Sequence, residues 1–147
     1  MLAGSLAGCG NGTESYCSSL KQDKARLTRL AAASAKPGTA GTDALGDTVG
    51  VLSGLRDEAP DDIADEWDTL VEAMRGLSQA IEDSGADPGD FASGKRPGGV
   101  TLGQYKAVQQ AAAELQTTRV QQAGASIEQH AQDVCKVDLG TGLGGVG

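Results

Sequence analysis

Very little in this chain is equipped for chemistry. It has one histidine (His130), three cysteines and four aromatic residues (Tyr16, Trp67, Phe91 and Tyr105) in 147 residues. There is no Cys-x-x-Cys and no Cys/His pair at ligand spacing, which argues against zinc. No Gly-x-x-x-x-Gly-Lys-[Ser/Thr] loop is present to cradle phosphate, and no Gly-x-Ser-x-Gly elbow to present a nucleophile. No apolar run approaches the ~20 residues that a membrane-spanning helix needs. Strand-like alternation and internal repeats are missing as well. A net charge of −8 argues against nucleic acid as a partner. The length fits one domain. What remains is a binding, anchoring or structural role, and the sequence implies neither an enzyme nor a cofactor.

The most informative feature lies near the N-terminus. Leu6-Ala7-Gly8-Cys9 has the form of a lipobox, the tetrad at which bacterial export machinery lipidates the cysteine and cuts before it. On that reading Met1 to Gly8 is discarded and Cys9 carries diacylglycerol. The chain then sits outside the cytoplasm, and membrane is a partner through the lipid. A full export signal has a basic start and roughly 7–15 apolar residues. Only Leu2 to Gly8 precede Cys9, and the first base is Lys21. Residues 1–8 are therefore expected to be a truncated signal whose natural start lies upstream. The rival reading is a cytosolic chain with a chance tetrad.

Setting Cys9 aside leaves an even pair, Cys17 and Cys135. A disulfide between them encloses residues 18–134, a closure worth about 4–5 kcal/mol when unstrained. It also requires an oxidising compartment, in agreement with export. The alternative is two buried, unpaired thiols.

Charge is unevenly placed. Residues 43–90 carry fourteen acids against Arg56 and Arg75, and seven carboxylates crowd one stretch: Asp57, Glu58, Asp61, Asp62, Asp65, Glu66 and Asp68. The basic part is the first helix, with Lys21, Lys24, Arg26 and Arg29 against Asp23. Those four bases are candidates to face anionic lipid headgroups or an envelope protein, and pairing with the acidic third helix is the internal alternative.

Periodicity predicts an all-α bundle of four to five helices over residues 15–139, preceded by a tether at 9–14 and followed by a disordered tail at 140–147. The first helix runs from about Ser15 to Ser34 with Tyr16, Leu20, Leu27 and Leu30 on one face. The second spans about Asp43 to Glu58, with Leu45, Val49, Leu52 and Leu55 repeating and Gly46, Gly50 and Gly54 as a ladder beside them, read as close approach of another helix. The third follows Pro60, carries Ile63, Trp67, Leu70, Met74, Leu77 and Ile81 as a bundle seam, and stops at Gly85. Residues 85–100 form a long loop. Thr101-Leu102-Gly103-Gln104 has capping-box form and opens the fourth helix, along Tyr105, Val108, Ala112 and Leu115. Thr118-Arg119-Val120-Gln121 repeats that form and opens the fifth, along Val120, Gly124, Ile127, Ala131 and Val134.

The disulfide constrains topology. Bridged Cα atoms lie within about 7 Å, so the start of the first helix and the end of the last share one end of the bundle. Five strictly alternating traverses would separate them. The 85–100 loop is long enough to run back along the bundle, which predicts roughly parallel third and fourth helices. A sharp bend that lets two helices share one traverse is the alternative.

In layout, the lipobox, the Ala/Gly/Asp-rich helices, the Ala59-Pro60-Asp61-Asp62-Ile63-Ala64-Asp65-Glu66-Trp67 turn and the closing Asp133-Val134-Cys135-Lys136-Val137-Asp138-Leu139 resemble small exported lipoproteins of actinomycetes. The resemblance implies location and a helical fold rather than an activity.

The other candidates have plain structural readings. His130 reads as a surface histidine near a helix C-terminus, sharing a face with Asp133 alone. The carboxylates 57–68 lack the spaced Asp-x-Asp-x-Asp-Gly of a calcium loop and read as a solvated face. Trp67 and Met74 read as core, although a pocket joining them with Tyr105 would suit a carrier of a small apolar ligand or metal ion. The favoured reading is a membrane-anchored, non-enzymatic binding or envelope structural module.

Overall fold

A computed structural model describes residues 11–34 and 39–140. These form five α-helices: α1 (Asn11–Ser34), α2 (Thr39–Glu58), α3 (Ala64–Ser84), α4 (Leu102–Leu115) and α5 (Thr118–Asp133). Two short 3₁₀ turns, Asp61–Ile63 and Pro88–Phe91, join them. The fold is all-α, with no strand among the described residues. Cys9 and residues 141–147 lie outside the described residues, and so do the lipidation and tail expectations that rest on them.

α3 is the centre. α2, α4 and α5 all pack on it, while α1 packs mainly on α2 and reaches α3 and α5 through Tyr16 in its early turns. The α1–α2 pair is antiparallel, as Ser15 and Ser19 meet Glu58. So is α2–α3: Arg56 reaches Asp68, Ser53 receives Arg75, and Leu45 clusters with Ile81. The seam drawn from spacing holds in the main. Tyr16, Leu20, Leu52, Leu55, Trp67, Leu70, Val71, Ile127 and Ala131 are buried in one cluster. Each such side chain contributes roughly 1.5–3 kcal/mol when taken out of water.

Helix ends follow local chemistry. Gly85 closes α3 at φ 68°, its N–H bonded to the Glu82 carbonyl, a left-handed turn that suits glycine. Thr101 caps α4 with the full reciprocal box: it accepts from the Gln104 N–H, and the Gln104 side chain accepts from the Thr101 N–H. At α5 the cap falls one residue before the predicted box. Thr117 accepts from the Val120 N–H, because its hydroxyl also reaches back to the Glu114 carbonyl at 2.7 Å and fixes the bend.

Four expectations are corrected. α1 is already helical at Asn11, so residues 11–14 are helix rather than tether. Gly12 weakens a helix by about 1 kcal/mol without terminating it. Gly46, Gly50 and Gly54 are exposed, with no atom within 4 Å of where a Cβ would stand. They face away from the leucine stripe, not toward a neighbour. Val134 is 47% exposed, because the chain leaves α5 there and Cys135 and Val137 turn inward instead.

The fourth correction is topological. α3 and α4 are antiparallel: the Gln104 side chain donates to the Asp83 carbonyl at 2.7 Å, and Val108 clusters with Ile81. The 85–100 segment therefore begins and ends at one end of α3 and does not cross back. Its 3₁₀ turn carries its own capping box between Asp87 and Asp90, and Asp87 accepts from Thr42 at 3.0 Å. The bend at Gln116–Thr117 reconciles this with the disulfide. α4 has 14 residues and α5 has 16, about 21 and 24 Å, each shorter than the ~32 Å expected for the 21 residues of α3. α4 lines the later half of α3, and α5 lines the earlier half. Two helices share one return.

Candidate functional site

The chain's two ends meet beside the start of α3. At the close of α5 the Val137 N–H donates to the Ala131 carbonyl at 2.9 Å and Lys136 takes φ 56°. The helix thus ends through a left-handed residue, with lysine where glycine is usual. It directs Cys135, which is buried, onto Cys17 in α1. The two form a disulfide, with Cα atoms 5.1 Å apart.

An aromatic cluster lies against the bridge. Trp67 Nε1 donates to Tyr16 Oη at 3.1 Å, and the rings meet edge to face at 6.3 Å. His130 packs on the other side of Tyr16, centroids 5.8 Å apart. Burial pushes the Tyr16 phenol above its ordinary range. The hydrogen bond from Trp67 opposes this, and Asp62 adds to it. His130 is not the surface residue that its position suggested: its side chain is 9% exposed. Its Nε2 lies 3.6 Å from Asp62 rather than pairing with Asp133. Its Nδ1 is buried with no hydrogen-bond partner among the described residues.

The carboxylates surround this same end. Glu58 accepts from Ser15 at 3.1 Å and Ser19 at 2.8 Å. Arg56 reaches Asp57 at 2.8 Å and Asp68 at 3.7 Å, and its guanidinium is held above its ordinary value chiefly by the Asp57 hydrogen bond. Asp57, Glu58, Asp61, Asp62, Asp65 and Asp68 are exposed and Glu66 is half-buried. Among the described residues no three His, Cys, Asp or Glu side chains are grouped to hold a metal ion. The cation that meets the acidic stretch is Arg56, not the basic helix. Lys21, Lys24, Arg26 and Arg29 are exposed and join no ion pair among the described residues.

Among the described residues, surface grooves open elsewhere. One of about 630 Å³ runs between α3 and α5, past Asp65, Glu66, Thr69, Gln122, Ser126 and Gln129. Another, of about 380 Å³, lies over the stacked rings of Phe91 and Tyr105, with Val108 and Ala112 in its wall. Trp67 is fully buried in the bridged core and Tyr105 lines this second groove. Trp67, Met74 and Tyr105 therefore do not line one cavity.

The even pair left beside Cys9 points to the Cys17–Cys135 bridge, whereas the Tyr16–Trp67–His130 cluster is not among the expectations from sequence. The signal was present: Tyr16 adjoins Cys17, and His130 lies one and a half turns before Cys135, so the bridge draws both rings together. No protein-family model, curated protein or solved structure matches this chain.

Proposed function

We propose that this chain is a bacterial lipoprotein, lipidated at Cys9 and held on the outer side of a membrane as a non-enzymatic binding or envelope structural module. The observation that carries the reading is the Cys17–Cys135 disulfide. It uses two of three cysteines and leaves Cys9 as the odd one, directly after Leu6-Ala7-Gly8. A disulfide of this kind persists in oxidising compartments, which supports export. No helix among the described residues is long and apolar enough to cross a membrane, so attachment on this reading comes from the lipid. Two acyl chains anchor firmly, at ~0.8 kcal/mol per buried CH₂.

The core is filled by its own side chains, and His130 is packed against Tyr16 rather than opened toward a substrate. These features support an interaction module over a carrier, whose three expected pocket residues lie apart. The intact mass of protein extracted from native membranes tests the reading. A chain beginning at Cys9 with the mass of diacylglycerol or more added is expected. An unmodified chain that still begins at Met1 overturns it.

A further inference from the structure

The first helix carries four cations that the fold does not use. The first turns of α1 meet α3 and α5 through Tyr16 and Cys17; the helix packs mainly on α2, and Lys21, Lys24, Arg26 and Arg29 are exposed. At ~100° per residue Lys21 and Arg29 point within about 40° of the direction opposite the Tyr16–Leu20–Leu27–Leu30 stripe, and Lys24 and Arg26 stand on the two flanks, about 80° from the stripe, where their long side chains can still bend to the same surface. Asp23 falls on the stripe side and is half-buried; Glu14 is the one acid on the basic side, seven residues before Lys21.

The two ends of α1 differ in charge. Its first turns lie among the carboxylates, where Ser15 and Ser19 hold Glu58, and Asp62 sits beside Tyr16 and His130. Its bases begin about 15 Å along the axis from Asn11, at Lys21, and extend to about 27 Å, at Arg29.

We propose that α1 lies along an anionic membrane surface, with Lys21, Lys24, Arg26 and Arg29 toward the lipid phosphates and α3–α5 facing away. This rests on the lipid-anchor reading of Cys9. Cys9 precedes Asn11 by two residues, at most about 7 Å of chain, so the acyl chains bring the first turn of α1 to the bilayer. The remaining freedom is tilt. Standing upright, the helix would press the acidic end against anionic headgroups. Its bases would then stand well outside the ~8 Å over which charge acts at physiological salt. Lying flat, it brings all four bases inside that distance and moves the carboxylates on the far side of the bundle away from it. Charge complementarity selects the flat posture.

The test uses the full chain with Cys9→Ser, so that no acyl chain assists and failure of the anchor reading is scored separately by the mass measurement. It is mixed with vesicles of phosphatidylglycerol and phosphatidylcholine in equal parts, and with phosphatidylcholine alone. Binding is expected on the anionic vesicles only, fading with salt. It should weaken roughly fivefold for each base changed to Ala, with unfolding midpoints unchanged because the four side chains make no ion pair. An environment-sensitive dye on Ala25→Cys, at the middle of the basic face, should shift on anionic vesicles, while the same dye on Gln122→Cys in α5 should not. Equal binding to neutral vesicles, no binding to anionic ones, or a shift at Gln122→Cys in place of Ala25→Cys overturns the proposal.

Discussion

The two ends of this bundle are built on different terms. At the bridged end a large core joins α1, α2, α3 and α5 around Tyr16 and Trp67, and a covalent bond closes it. At the opposite end the second cluster has three buried members, Leu45, Ile81 and Val108, with Met74, Leu77, Ala80 and Phe91 half-covered against it. That end relies on directed polar contacts: the Thr101–Gln104 box, Gln104 to Asp83, Thr42 to Asp87, Arg96 to the Val100 carbonyl at 2.7 Å and Tyr105 to the Gly94 carbonyl at 2.7 Å. Apolar burial is non-directional and large, whereas a net hydrogen bond contributes only about 0.5–1.5 kcal/mol. The difference teaches where cooperativity resides. The bridged end should open only with global unfolding, and the 85–100 segment should open locally first.

Removing the bridge strikes this contrast hardest. Cys17→Ser with Cys135→Ser should cost about 4–5 kcal/mol on the loop-closure account, read from denaturant midpoints, and amide exchange in α1 should rise more than in α4. A uniform rise across both would dissolve the distinction. Core truncation comes next. Trp67→Ala should cost about 3–5 kcal/mol, and Val108→Ala about 2. Equal losses would mean that the smaller cluster is as consequential as the larger.

Alkaline pH probes the same cluster by another route. The folded Tyr16 phenol is held above its ordinary range, while in the unfolded chain it ionises near about 10. Below that pH its contribution is complete. Above it the unfolded state gives up a proton that the folded state keeps, so stability falls as pH rises toward the folded value. Tyr16→Phe should flatten that alkaline decline in denaturation curves. It should also cost about 1–3 kcal/mol at neutral pH by leaving the Trp67 N–H unpaired. An unchanged alkaline slope would remove Tyr16 as its source.

The smallest expected effect has the opposite sign. Gly50→Ala on the open face of α2 should stabilise by about 0.5–1 kcal/mol, since alanine suits a helix better and nothing stands near its Cβ. Loss of stability there would mean that this face meets something in the folded protein.

The glycines of α2 show where spacing and angle disagree. Gly46, Gly50 and Gly54 drift from about 100° to 180° around the helix from Leu45, which already places them off the leucine face. A four-residue repeat suggests a helix contact, and its angle points to solvent. Helix identities, the Gly85 stop, the Thr101 box and the cysteine pairing were legible because each depends on neighbours in sequence or on one covalent constraint. The direction of α4 was not. It depends on whether α4 and α5 each span the bundle or divide it, and that is fixed by the Thr117 hydroxyl bonding backward as well as forward. His130 was misplaced for a similar reason. Its own helix offers Asp133, while the side chains that enclose it, Tyr16 and Asp62, come from distant parts of the chain.

The Cys17–Cys135 bond also decides how the molecule carries force. A pull applied between residues 11 and 140 travels through the first turns of α1, crosses the bridge and leaves through the last few residues. The 118-residue separation between the two cysteines is short-circuited, and everything between them hangs as an unloaded loop. Tension along the chain would then fray a few residues at each side while the bundle kept its shape, and the extension before the bond itself broke would be that of two short segments rather than a whole domain.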